Sequence, residues 1–258
     1  AGQHAAGDQF WALRAFRELD DAILRLRTNE PEIGTIVIRA VGDITAVLAV
    51  DATLVAHQGD WLVREIILYM KRVLKRVDLT SRTFFAFIEV GSAFGGSLFE
   101  LALAADRSYM FDDADQANAV ALSPMNAGLL PMSNGLSRLA TRFLHDPTRP
   151  AQVLAHDGPF DPEEAREAGL VTFTPDDIDW DDEVRLAVEA RAAFSPDALT
   201  GLEANLRFAG PETMETKIFA RLTAWQNWIF QRPNAVGEKG ALKVYGSQGR
   251  PDYDFKRV

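Results

Sequence analysis

The 258-residue sequence contains no cysteine. That excludes disulfides, thiolate nucleophiles and Cys-based zinc sites together, and leaves the redox compartment open. No apolar run reaches the ~20 residues that span a bilayer, and the first residues lack the basic and apolar regions of a signal peptide. A soluble, cytoplasmic protein with no membrane partner is therefore expected. Basic residues are also short: 27 Lys and Arg stand against 37 Asp and Glu, a formal net charge of -10. A nucleic-acid partner is excluded on this balance, because a phosphate backbone needs clustered cations. The four histidines, His4, His57, His145 and His156, show neither H-E-x-x-H nor H-x-H spacing, so no metal site is expected. No G-x-S-x-G elbow surrounds Ser92, which argues against a hydrolytic triad. The chain also begins without Met and opens almost directly on a helix, which suggests missing upstream sequence.

What is present is ordinary globular composition, 47% hydrophobic and 25% charged. Such a chain is long and apolar enough to bury a sizeable core. Leu13, Phe16, Leu19, Ile23 and Leu26 recur at helical spacing within Asp8–Arg27, and Asn29 with Pro31 ends that helix. Leu62, Ile66, Met70, Val73 and Val77 form a second stripe within Asp60–Val77. The β-branched run Thr35–Val41 and the run Thr83–Val90 read as buried strands. Val47–Val50, Arg107–Phe111 and Ala119–Ser123 read as shorter ones. Strands alternating with helices point to the α/β class with right-handed crossovers. The acidic stretch Asp176–Glu183 reads as a solvated loop. Helical patterns follow over Pro196–Phe208 and Pro211–Gln231, and Pro233–Val258 reads as an irregular tail.

The richest local signal is Gly91-Ser-Ala-Phe-Gly95-Gly96-Ser-Leu-Phe-Glu100 between a strand and a helix. Glycines at such a turn let a ligand approach the backbone, and a helix start offers N–H groups to a phosphate or a developing oxyanion. They serve a tight packing turn equally well. The Lys-Ser/Thr pair of a P-loop and the G-x-G-x-x-G spacing are both absent. Glu100 is either an acid–base candidate or a carboxylate favoured by its helix N-terminus. Gly210-Pro211-Glu212 has the composition of a helix start, with Pro in the first position and Glu in the first turn. The aromatic set Phe219, Trp225, Trp228 and Phe230 reads as packing rather than a substrate cage.

Four blocks in order resemble the crotonase (enoyl-CoA hydratase/isomerase) superfamily: the Gly91 block, Gly128-Leu-Leu-Pro131 through Arg138-Leu139, Gly158 through Val171, and Ser195-Pro-Asp-Ala-Leu-Thr. This resemblance implies a ββα spiral, with a core over 1–194 lacking its N-terminal strands and a helical region and tail over 195–258. It implies an acyl-CoA thioester as substrate, with Gly95 and Gly96 as the oxyanion and substrate-binding turn. Thr28–Gly34, Glu100–Met110 and Ser195–Gly246 are more narrowly similar to the C-terminal half of the benzoyl-CoA-dihydrodiol lyase family. Those enzymes open the ring of 2,3-epoxybenzoyl-CoA in aerobic benzoate breakdown and release formate. That likeness implies Glu212 as a catalytic carboxylate, with Glu100 as a second candidate. It also implies a catalytic N-terminal half or subunit as partner, homo-oligomeric assembly, and no cofactor beyond the coenzyme A carried by the substrate.

Two departures stand out. Ala209 replaces an Asn of the lyase family, and Pro124 occupies the position of a second hydratase carboxylate. The carboxylate pair that adds water to an enoyl bond is therefore incomplete, which excludes an ordinary hydratase. The alternative reading is a non-catalytic crotonase-fold half that packs against a catalytic partner.

Overall fold

The structure is a computed structural model, which describes residues 2–256. Three parallel strands form the sheet, β1 (Thr35–Ile38), β2 (Thr83–Ile88) and β3 (Arg107–Met110), with β2 at the centre. Thr35 pairs with Thr83 and Phe85 with Arg107. All six residues of β2 are buried. Its side chains divide by parity, as a pleated strand requires. Phe84, Ala86 and Ile88 enter the main core, whereas Phe85 and Phe87 join Tyr109 and Trp180 in a second cluster. A strand covered on both faces has no need of polar alternation, which is why TFFAFI reads as one apolar run.

Helix Trp11–Asn29 buries Phe16 and Ile23 against helix Trp61–Asp78. The latter presents Val63, Ile66, Met70, Val73 and Val77 inward and starts on Asp60, whose carboxylate accepts the N–H groups of Leu62 and Val63. Asp20 and Arg76 tie the pair together at 2.5 Å.

Several expectations are corrected. Val47–Val50 lies not in a strand but inside helix Ile44–Ala56, started by Asp43 accepting from the Thr45 N–H. Only isolated bridges occur within Ala119–Ser123, at Val120 to Phe160 and Ala121 to Gly95. The acidic stretch divides: Asp176 caps a turn, and Asp181, Asp182 and Glu183 form the first turn of helix Trp180–Ala192. Negative charge there complements the helix dipole. The helix expected from Pro211 begins at Met214 and passes through a π-helical turn, Lys217–Leu222, before Thr223–Ile229. Over residues 233–256 two short helices, Pro233–Val236 and Ala241–Val244, punctuate the otherwise irregular tail, whose last two residues lie outside the described ones. Among the described residues no helix is long and apolar enough to cross a membrane.

Candidate functional site

The Gly91 block leaves β2, turns at Gly91 with φ +78°, and enters helix Gly96–Ala104 with Gly95 as its N-cap. The expected strand–glycine–helix turn is therefore present. Its N–H groups, however, are already committed. Gly95 donates to Ala93 O, Gly96 to Ala121 O at 2.9 Å, and Leu98 to Gly95 O. The Ser97 N–H donates at 2.7 Å to Oδ2 of Asp51, which also accepts from Ser123 Oγ at 2.7 Å. Asp51 comes from helix Ile44–Ala56 and is 0% exposed. Burial pushes its carboxyl above the usual range, against the pull of the Ser97 and Ser123 hydrogen bonds.

A carboxyl group supplied by the chain itself thus sits at this helix start. The two glycines are needed for that internal approach. A Cβ on Gly96, where φ is +47°, would lie 1.9 Å from Asp51 Oδ2, and one on Gly95 would lie 2.7 Å from Ile44 Cγ1. The turn at which an oxyanion and substrate-binding role is expected of Gly95 and Gly96 is filled in this structure by the side chains of Asp51 and Ile44. Ser92 is likewise occupied, its hydroxyl accepting the Glu89 N–H at 2.9 Å.

Glu100, one turn further along, is 1% exposed. Its Oε1 accepts from Asn126 Nδ2 at 2.7 Å and its Oε2 from Arg138 Nη1 at 2.8 Å. Arg138 turns its other edge to Asp78, with Nε to Oδ1 at 3.2 Å and Nη2 to Oδ2 at 2.6 Å. Burial raises both carboxyls, and the arginine opposes the rise. On Arg138 burial acts downward, but Glu100 and Asp78 outweigh it and hold the guanidinium above its ordinary value. One guanidinium bridging two buried carboxylates is a structural tie between three chain segments. Glu100, expected as a second acid–base group, has neither oxygen free. Asn126 completes the arrangement by donating to Gly96 O and accepting from Ser123 N. Pro124 is exposed on the same short turn, Pro124–Ala127.

Glu212 is placed differently. It lies just after a bend at Pro211, two residues before the helix start, and Thr213 is the N-cap. Its carboxylate is partly open to solvent and accepts from Arg221 Nη2 at 3.0 Å. Arg221 is fixed in turn by the carbonyl of Asn205 at 3.1 Å. Glu100 and Glu212 share no partner, and the structure does not bring them together as a pair. Of the aromatic set, Trp225 stands edge-to-face with Trp228 and packs on Gly201. Phe219 is left 79% exposed.

Sequence reasoning did not single out Asp51, Asp78, Asn126 or Arg138. Nor did it find Glu203, which fastens helix Pro196–Leu206 to the core. Glu203 accepts from Arg191 at 2.9 Å, Arg207 at 2.8 Å and Thr83 at 2.9 Å, and Arg207 also reaches Asp106. Burial, then the neighbouring Asp106, pushes its carboxyl up to about 7.

No family model matches the chain. Solved structures do match it: an enoyl-CoA hydratase from Geobacillus kaustophilus superposes with a TM-score of 0.69 at 17% identity, over 93% of this chain and 86% of that one. An enoyl-CoA hydratase from Bacillus anthracis gives 0.69 at 14%, over 95% and 90%. This is the crotonase fold. In sequence, the chain is 56% identical over 255 residues to the benzoyl-CoA-dihydrodiol lyase of Aromatoleum evansii, covering 98% of this chain and 46% of that protein. The crotonase-fold chain thus spans about half the length of the curated relative it matches.

Proposed function

We propose that this chain is the C-terminal half of a benzoyl-CoA-dihydrodiol lyase, acting on 2,3-epoxybenzoyl-CoA together with a catalytic N-terminal half. The observation that carries the proposal is 56% identity along 255 residues to a lyase of that name, of which the match spans only 46%. In this reading Glu212 is the carboxylate contributed by this half, activating water or moving a proton at the opened ring. Two features support that choice over Glu100. Glu212 is partly exposed and oriented by Arg221, whereas both Glu100 oxygens are held by Asn126 and Arg138. Polarisation of the thioester falls to the other half, because Asp51 already occupies the Ser97 N–H in this one.

No separate cofactor enters the scheme, since coenzyme A arrives as part of the substrate. A cytoplasmic homo-oligomer is the assembly this reading implies. The test is formate release from 2,3-epoxybenzoyl-CoA by this chain, by a separately produced N-terminal half, and by the two combined. Turnover is expected only in the combination. Full turnover by the N-terminal half alone would leave this chain a non-catalytic partner.

A further inference from the structure

A cavity of about 380 Å³ lies on the opposite end of helix Gly96–Ala104 from the glycine turn, bounded by Leu103 to Arg107 and by the Arg138–Arg142 helix. Five arginines line it: Arg107, Arg138, Arg142, Arg191 and Arg207. Three carboxylates, Asp78, Asp106 and Glu203, stand among them. In a chain of net charge -10, a wall with surplus positive charge is unexpected. Counting Glu100, which bonds Arg138 from behind, still leaves the cations in excess.

Most of these charges are accounted for. Arg138 is taken up by Asp78 and Glu100, and Arg191 and Arg207 by Glu203 and Asp106. Arg107 sits exposed, with its guanidinium near the Phe173 ring. Arg142 differs from all of them. Its Nε donates to the Gly169 carbonyl, and among the described residues no carboxylate forms an ion pair with it. Burial holds this guanidinium below the usual arginine range, with no carboxylate to offset it. Arg142 is half-buried, and beyond its Nε its two Nη nitrogens have no hydrogen-bond partner among the described residues. Next to it, Thr141 spends its hydroxyl on Met132 Sδ at 3.4 Å, and thioether sulfur is a weak acceptor. Both residues line the same cavity.

We propose that this cavity binds a small oxyanion, a carboxylate or a phosphate-class group, with the terminal nitrogens of Arg142 and the adjacent Thr141 hydroxyl as donors. Guanidinium suits either ligand because its planar fork matches paired oxygens. Arg107 at the rim adds attraction on entry.

The full chain is titrated calorimetrically with inorganic phosphate and, separately, with acetate, at ionic strength held constant with chloride. Saturable binding of at least one anion is expected, and which one binds tells a tetrahedral from a planar ligand. Arg142→Gln should weaken it by about tenfold or more, the loss that follows from one charge-assisted hydrogen bond. Arg39→Gln, which removes a guanidinium paired with Glu89 elsewhere, should leave binding unchanged. Absence of saturable binding by both anions, or identical titrations for wild type and Arg142→Gln, overturns the proposal. Should Arg142→Gln not fold, Thr141→Val and Arg107→Gln serve instead, and unchanged binding in both overturns it equally.

Discussion

Replacing Gly96 by Ala is the sharpest test of how the glycine turn is closed. The new Cβ would lie 1.9 Å from Asp51 Oδ2 and 2.7 Å from Ser123 Oγ, and the backbone there has φ +47°. Holding an L-residue in that left-handed region costs about 1–2 kcal/mol. The carboxylate must also retreat, which loosens its bonds from Ser97 N–H and Ser123 Oγ; a hydrogen bond to a charged group contributes about 1.5–3 kcal/mol. Together the loss is about 3–5 kcal/mol, a fall in Tm of roughly 6–20 °C for a chain of this size. Thermal denaturation followed by circular dichroism measures it. Removing the obstructing side chain with Asp51→Ala in the Gly96→Ala background should recover at least about 1 kcal/mol relative to additivity, since the two residues are in direct contact. A Gly96→Ala protein melting within ~2 °C of wild type, which is less than 1 kcal/mol, would refute the picture of a turn filled by Asp51.

Arg138→Met should destabilise by about 3–5 kcal/mol, because it strands the Asp78 and Glu100 carboxylates without a counterion; an equilibrium urea melt checks this. Glu100→Gln should cost stability yet, in the reconstituted enzyme, turn over at the wild-type rate, and a large loss of kcat in a folded variant would restore Glu100 to the chemistry. Glu203 makes stability depend on pH. Its folded value of about 7 lies above the ordinary 4.5, so its contribution is full below about 4.5 and is lost as pH rises through 7. Wild type should therefore lose more Tm than Glu203→Gln between pH 4.5 and 7, and parallel curves would contradict the assignment.

Much of this was legible where the cause is local. The run TFFAFI, the Gly91 turn and the stripe Ile66 to Val77 carry their periodicity and glycines in a few adjacent residues, although the stripe's first buried member is Val63 rather than the expected Leu62. Helix Ile44–Ala56 was hidden because its Val-rich centre resembles a strand. The available signal was Asp43 followed two residues later by Thr45, an N-cap in front of thirteen continuous helical residues. Misreading that helix also concealed Asp51, whose role depends on a partner 46 residues away. Arg138 was visible only as part of a family block. Its pairing with Glu100 and Asp78, 38 and 60 residues distant, is a tertiary event with no sequence period. Glu212 was found by resemblance, but the expected helix start at Pro211 moved to Met214, where Thr213 supplies the cap.

We propose that Glu212 is a working carboxylate of the combined enzyme. Glu212→Gln preserves size and removes only the charge, and the lost surface ion pair with Arg221 contributes at most about 1 kcal/mol to stability. The measurement is formate release from 2,3-epoxybenzoyl-CoA by the N-terminal half combined with wild-type or Glu212→Gln chain, at equal binding of the two halves. A fall in kcat of ~10²-fold or more is expected, typical of losing acid–base assistance. Equal turnover by the two combinations would contradict it.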